Sequence, residues 1–559
     1  MSARSRAVAL ACLLLGPAVL LAQQSQSPAD LIVTANRIYT VDEGRPVAQA
    51  IAVRDGRVLF VGSVRGAMAL KGPSTRTLDF PRATIVPGFI DAHAHLLELG
   101  AAIREVDLVG TTSYDQVVQR VAERAKQVPA GTWIIGRGWD QNDWGDTRFP
   151  THEALSRAVP NNPVVLTRVD GHALLANARA MSLAHVTAAT KDPAGGRIVR
   201  LPNGDPSGVF VDNAKGLINR VVPPPSHEET KQAIVAGAKE ANRWGLIGVD
   251  DPGEPRAAIE TYEELAKAGQ LSLRTYIMVR DNKADLDYYF AKGPQSALYD
   301  GHLWIRSIKL YMDGALGSRG AALLDPYTDD PGNSGLFVST PEHIRQVAIE
   351  ALKHGFQVCV HAIGDRGNRT VLDQFEAAFK QVPVADHRFR IEHAQILNYA
   401  DITRFAQLDV IPSMQATHAT SDMYWAGARL GSGRLYGAYA WRALLNTGVI
   451  IPNGTDAPVE PINTMRTFHS AISRQDENNY PAGGWHPEQR MTREEALKSM
   501  TIWPAEAAFQ EKLMGSLTPG KYADFAVLDQ DIMTVAPEDI MATQVVATYI
   551  GGKAVYDRQ

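Results

Sequence analysis

ATIVPGFIDAHAHLLELG, residues 83–100, sets an apolar run against two histidines separated by a single alanine. In an extended strand, side chains two apart share a face, so His93 and His95 aim at one point. Two neutral imidazoles aimed together suit a divalent metal. The alternative is a buried pair hydrogen-bonded to backbone, and the stretch by itself leaves both open.

Further runs repeat the pattern of an apolar strand ending in a polar or glycine-marked loop. They are GLIGVDD (245–251), LSLRTYIMV (271–279), LWIRSIKLYMDG (303–314), FQVCVHAIGD (356–365), FRIEHAQ (389–395), LDVIPSMQA (408–416) and GVIIPNGTDAP (448–458). Amphipathic stretches such as EETKQAIVAGAKEANRW (228–244) and PEHIRQVAIEALKHG (341–355) lie between several of them. Eight strands alternating with helices predict an α/β chain with a parallel (β/α)8, TIM-like barrel over residues 85–514. About 150 residues separate the first and second runs, far more than a βα connection needs. They carry their own helix at SYDQVVQRVAERAKQ (113–127) and strands at TWIIGRGW and NPVVLTRVDGHALLAN. An inserted domain at roughly 105–225 is therefore expected over the barrel mouth. Short β-branched runs near both termini predict a small β-sandwich built from residues 30–84 and 515–559.

The catalytic end of such a barrel is where its strands end at their C-termini. Residues able to bind metal stand there: His93 and His95 after the first run, then Lys309, His361, His393 and Asp456 after later ones. A single strand-end histidine is ordinarily a satisfied core residue. Their recurrence on consistent strand ends favours a metal site.

Composition bounds the remainder. At 559 residues, 45% hydrophobic and 21% charged, the chain reads as globular and larger than one ordinary core. A net charge of −5 gives no electrostatic reason to expect nucleic acid or an anionic membrane. Arg4 and Arg6 precede AVALACLLLGPAVLLA, too brief for a comfortable membrane span, so residues 1–22 are expected to be an export signal directing the chain to the periplasm or outside. Leu20 sits where a small residue is preferred at the cleavage site, which leaves an uncleaved anchor as the alternative. Signal removal takes Cys12 and leaves Cys359 without an internal disulfide partner.

PGFIDAHAH, Lys309, the two later histidines and GTDAP resemble the metal-dependent amidohydrolase superfamily. GSLTPGKYADFAVLD (515–529) is similar to the segment by which those enzymes return to their β-sandwich. IKLYMDGALGSRGAAL, VCVHAIGDRGN, RIEHAQ and RVDGHALLAN resemble its YtcJ-like, or amidohydrolase 3, branch, which includes N-substituted formamide deformylases. The resemblance implies a zinc-type site with one or two divalent ions per chain. His93, His95 and Asp456 would hold the first ion, His361 and His393 the second, and Lys309 would bridge them as a carbamate. An unmodified Lys309 beside a single metal is the other arrangement.

The activity so implied is hydrolysis of a non-peptide, amide-type C–N bond in a small molecule: an N-acyl, formamide or cyclic amide compound. Asp456 would take a proton from water and deliver it to the leaving nitrogen. His172 would either bond the carbonyl or oxyanion or staple the insert to the barrel, and Asp313 would orient Lys309 or touch substrate. Trp139, Trp144, Trp425 and Trp485 suggest an aromatic-lined entrance, though tryptophans are more often packing residues. An ester or lactone hydrolase, a deaminase, or a retired metal-binding protein are the competing readings. The expected partner is a small-molecule substrate, with no membrane span once the signal is gone and self-association left open.

Overall fold

The computed structural model describes residues 27–103 and 105–558. The expected export signal lies outside them. No described helix is long and apolar enough to cross a membrane.

The centre of the molecule is a curled parallel sheet. Its seven parallel strands lie in the order Ile411–Ser413, Arg390–His393, Gln357–Ala362, Leu303–Tyr311, Arg274–Arg280, Leu246–Glu254 and Phe89–Asp91. Every residue of Leu246–Glu254, Gln357–Ala362 and Arg390–His393 is buried. Burial on both faces is why these strands read as continuous apolar runs, and helices Arg256–Lys267, Asp365–Gln381 and Tyr399–Gln407 follow the three in turn. Helix His227–Arg243 starts at a reciprocal Ser226–Glu229 capping box and buries Ala233, Ile234, Ala238 and Ala241.

Two of the expected strands come out differently. ATIVPGFI divides at Gly88: residues up to Pro87 belong to the terminal sheet, and Phe89–Asp91 begins the parallel one. A Cβ on Gly88 would lie 2.3 Å from Ile247, so the chain changes sheets at the one residue with no side chain to clash. GVIIPNGTDAP forms no strand. Pro452 has no N–H to donate, and a Cβ on Gly454 would meet the His93 nitrogen at 2.6 Å. The segment instead ties the sheet's outer edges together. Met414 N donates to Pro452 O and Gly454 N to Met414 O on one side; Ala92 N donates to Asn453 O and Asp456 N to His93 O on the other.

Segments 29–87 and 525–557 meet in a second, seven-stranded sheet. Its order is Lys553–Asp557, Val545–Ile550, Phe525–Leu528, Lys71–Pro87, Ala29–Tyr39, Val47–Arg54 and Arg57–Gly62. Alternation along these strands sends Leu31, Val33, Ile51 and Val53 to a core shared with Phe525 and Val527, while Ile32, Ala50 and Ala52 pack with Ala67. A third sheet of six strands, drawn from residues 106–212, carries His172 in the turn between Val164–Arg168 and Ala173–Ala176.

Candidate metal centre

The parallel strands deliver the expected residues to one place. His93 follows the first strand and is fully buried; Lys309 and His361 lie within their strands, and His393 closes its own. Asp456 comes from the edge-tying segment. His393 and Asp456 hold left-handed backbone angles, φ +73° and +59°. Such angles are costly for residues with a Cβ and concentrate at functional sites. Asp91 locks the loops together: its carboxylate accepts from His93 N (3.1 Å), Thr455 N (2.9 Å) and Thr455 Oγ1 (2.6 Å). Burial pushes its pKa up to about 7.

Lys309 Nζ lies 3.2 Å from His93 Nε2. Asp456 Oδ1 lies 3.3 Å from His95 Nε2 and 3.7 Å from His93 Nε2. Its other oxygen, Oδ2, lies 3.6 Å from Nε2 of His418, a residue not expected from the sequence. Ring centroids of His93 and His393 are 4.9 Å apart, those of His361 and His393 4.7 Å, and those of His172 and His361 4.9 Å. Among the described residues, histidine and aspartate donor atoms form two metal-competent sets, His93–His95–Asp456 and His393–His418–Asp456. His361 belongs to neither set, and the Lys309 amine stands against the first through His93. All of these residues line one cavity of about 310 Å³.

Outer partners aim the imidazoles. His93 Nδ1 donates to Glu392 Oε2 at 2.6 Å, His393 Nδ1 to Gln415 Oε1 at 2.7 Å, and His172 Nδ1 to Asp212 Oδ1 at 2.7 Å. At His93 and His393 the bond leaves an Nε2 lone pair for the cavity, the arrangement that metal-binding histidines adopt. Burial, helped by the Lys309 charge, lowers the His93 pKa to about 4. Burial also holds His361 and His393 well below the ordinary value. These rings are therefore neutral at pH 7, the state that ligates. Lys309 is pulled down to about 8 by burial. Burial pushes the Asp456 carboxyl up, but the bond from His95 and the neighbouring imidazoles outweigh it and hold Asp456 well below its usual range. Imidazoles and a carboxylate converging at nitrogen–oxygen separations of 3.3–3.7 Å fit a divalent ion of the zinc type.

A buried charge network supports this wall. Arg390, fully buried, donates to Glu392 Oε1 at 2.7 Å and Asp250 Oδ2 at 2.6 Å, and also bonds Ala92 O and Ser413 Oγ. Arg390→Leu is expected to cost about 3–5 kcal/mol, because it strands two buried carboxylates. Urea unfolding checks this, and an unchanged midpoint would contradict it.

Other expected residues have different duties. Asp313 spends its carboxylate on the backbone N–H groups of Ala322, Ile363 and Gly364, at 2.8–2.9 Å, and braces loops; it makes no bond to Lys309. Only Trp425 of the four tryptophans lines the cavity. Trp139 and Trp144 are core residues of the third sheet with their indole N–H groups bonded to Leu166 O and Thr111 O, and Trp485 packs on Tyr439. His418, Glu392 and Asp212 were missed. The signal for His418 was its position just past the LDVIPSMQA run, and for Glu392 its place beside His393.

Residues 82–556 match the family described as "Amidohydrolase family". Protein LONG AFTER FAR-RED 3 of Arabidopsis thaliana is 35% identical, across 94% of this chain and 92% of its own. Putative amidohydrolase YtcJ of Bacillus subtilis (strain 168) is 32% identical over 93% of this chain and 98% of its own. N-substituted formamide deformylase of Arthrobacter pascens is 28% identical over 95% and 98%. A solved structure of an uncharacterized metal-dependent hydrolase from Pyrococcus horikoshii OT3 superposes with a TM-score of 0.73 at 26% identity, covering 91% of this chain and 99% of that one. A histidine- and aspartate-lined cavity at the ends of a curled parallel sheet, and a family match running through nearly all of both, lead to one assignment: the chain belongs to the amidohydrolase family, whose members are metal-dependent hydrolases.

Proposed function

We propose that this hydrolase cleaves a non-peptide, amide-type C–N bond in a small molecule of the N-acyl, formamide or cyclic amide class. The observation that carries the reading is Asp456, whose two oxygens face separate imidazole sets in one buried cavity. The similarity to a formamide deformylase, spanning nearly all of both chains, supports the substrate class.

His93, His95 and Asp456 would hold a divalent ion, zinc by ligand type, with His361, His393 and Lys309 beside it. A bound ion supplies Lewis acidity and brings the pKa of water towards neutrality. Asp456 takes the proton released as water attacks the carbonyl, then delivers it to the leaving nitrogen. His172 lines the same cavity as Asp456, with its ring centroid 4.9 Å from that of His361. Its Nδ1 bond to Asp212 aims the ring into the cavity, towards the carbonyl or the developing oxyanion. Lys309, buried with its pKa drawn down to about 8, has an accessible free-amine form. That amine adds CO2 and releases a proton, becoming an anionic carbamate in place of a repelled cation.

We further propose that the curled sheet is a (β/α)8 barrel completed by residues 451–456, with the terminal sheet as its β-sandwich partner and the third sheet as the inserted domain. Export through residues 1–22 belongs to the same proposal. N-terminal sequencing should find a chain beginning near Gln23, and a start at Met1 or Ser2 would refute cleavage.

The substrate test is a metal-replete screen of N-substituted formamides, N-acyl amines, cyclic amides, esters, lactones and aminopurines. The amide classes should lead in kcat/KM by about tenfold or more, equivalent to about 1.4 kcal/mol of transition-state preference. Faster ester, lactone or deamination turnover would overturn the C–N assignment. No turnover with any class would favour a retired enzyme.

A further inference from the structure

We propose that His418 is a metal ligand, holding a second divalent cation with His393 and Asp456 beside the one on His93, His95 and Asp456. The inference rests on the metal-dependent reading of the site and deepens it by naming the residue that completes the second position.

Three observations carry it. His418 is 8% exposed and its Nε2 has no hydrogen-bond partner, although it lines the cavity. Leaving a buried ring nitrogen unsatisfied forfeits its hydration without return, so a structural histidine would be expected to find a partner. The separation from Asp456 Oδ2, 3.6 Å, is too long for a hydrogen bond. It is close to the roughly 3.3–3.4 Å that separates two ligands each about 2.0–2.1 Å from one tetrahedral ion. The same spacing recurs on the opposite oxygen, where Oδ1 lies 3.3 Å from His95 and 3.7 Å from His93. Asp456 thus offers one oxygen to each histidine set and links the two cation positions.

The local chain explains the pairing. The short segment after strand Ile411–Ser413 supplies both Gln415, which fixes His393 through its Nδ1, and His418, three residues on, which faces the cavity. One segment therefore orients one ligand from behind and contributes the next from the front.

The test is metal stoichiometry of purified, zinc-replete full-length protein, measured by mass spectrometry during titration with a competing chelator. Wild type should hold two ions. His418→Ala should hold one, and that ion should resist chelator as the tighter wild-type ion does. His418→Cys guards against a folding defect: loaded with cobalt, it should regain the second ion and show a thiolate-to-cobalt charge-transfer band absent from wild type. Two zinc ions in His418→Ala with wild-type chelator resistance would overturn the inference, as would two cobalt ions in His418→Cys without the band. A wild type holding one ion that His418→Ala leaves untouched overturns the inference alone. A wild type that binds no ion overturns the metal-dependent reading itself.

Discussion

Asp456→Asn is expected to lose turnover by at least about 10³-fold, within the range for removing a general acid–base group, while the fold survives. The amide keeps the shape of the carboxylate, and its oxygen still reaches one histidine set. It cannot accept the proton of water or return one to a leaving nitrogen. The carboxylate is also held ionised by its surroundings, so the wild type enters the reaction with the base already deprotonated. Turnover of the best substrate from the screen, compared with metal content in the same preparation, separates lost proton transfer from lost ligation. Near-normal turnover would place the proton on another group.

Lys309→Ala should be nearly as damaging, with activity falling by about 10²-fold or more if the side chain carries an anionic donor to the centre. Lys309 is 1% exposed, its amine lies 3.2 Å from His93 Nε2, and burial favours its neutral form. An ammonium so placed would repel a cation; a carbamate would bind one. Acetate or propionate, added to Lys309→Ala, should therefore restore part of the rate by filling the vacated space with a carboxylate. Reconstitution of metal-free wild type should likewise depend on bicarbonate. Equal recovery in CO2-free buffer, with no rescue of the variant by acids, would show that Lys309 acts as an unmodified amine.

Much of the architecture was legible because parallel strands buried on both faces must be apolar throughout. LWIRSIKLYMDG, FQVCVHAIGD and FRIEHAQ all contain strands that end near the cavity, and the residues chosen at those ends do meet there. The misreadings have local causes. Apolar content alone does not distinguish a strand from a segment like GVIIPNGTDAP, whose proline and closely approached glycine prevent a regular ladder. Nor does it reveal that one run serves two sheets, as 83–91 does around Gly88.

The site was less legible than the fold wherever it depends on partners distant in sequence. Asp212 is 40 residues from His172, and Glu392 is 299 residues from His93, so no spacing rule connects them. His418 lies beyond a three-residue strand on a short helix, so its place just past the LDVIPSMQA run was its one cue and no paired histidine reinforced it. The tryptophans failed for the opposite reason. Their type suggested an entrance, but Trp139 and Trp144 satisfy their indole N–H groups within a core, and only Trp425 reaches the cavity.

The most direct test of the account is to follow metal content and turnover together through chelation and stepwise return of zinc to the same full-length protein. Hydrolysis should disappear as the ions leave and return in proportion to their restoration, while far-ultraviolet circular dichroism shows that the fold persists. Undiminished turnover by protein shown to be metal-free would contradict a metal-dependent hydrolase built on His93, His95 and Asp456.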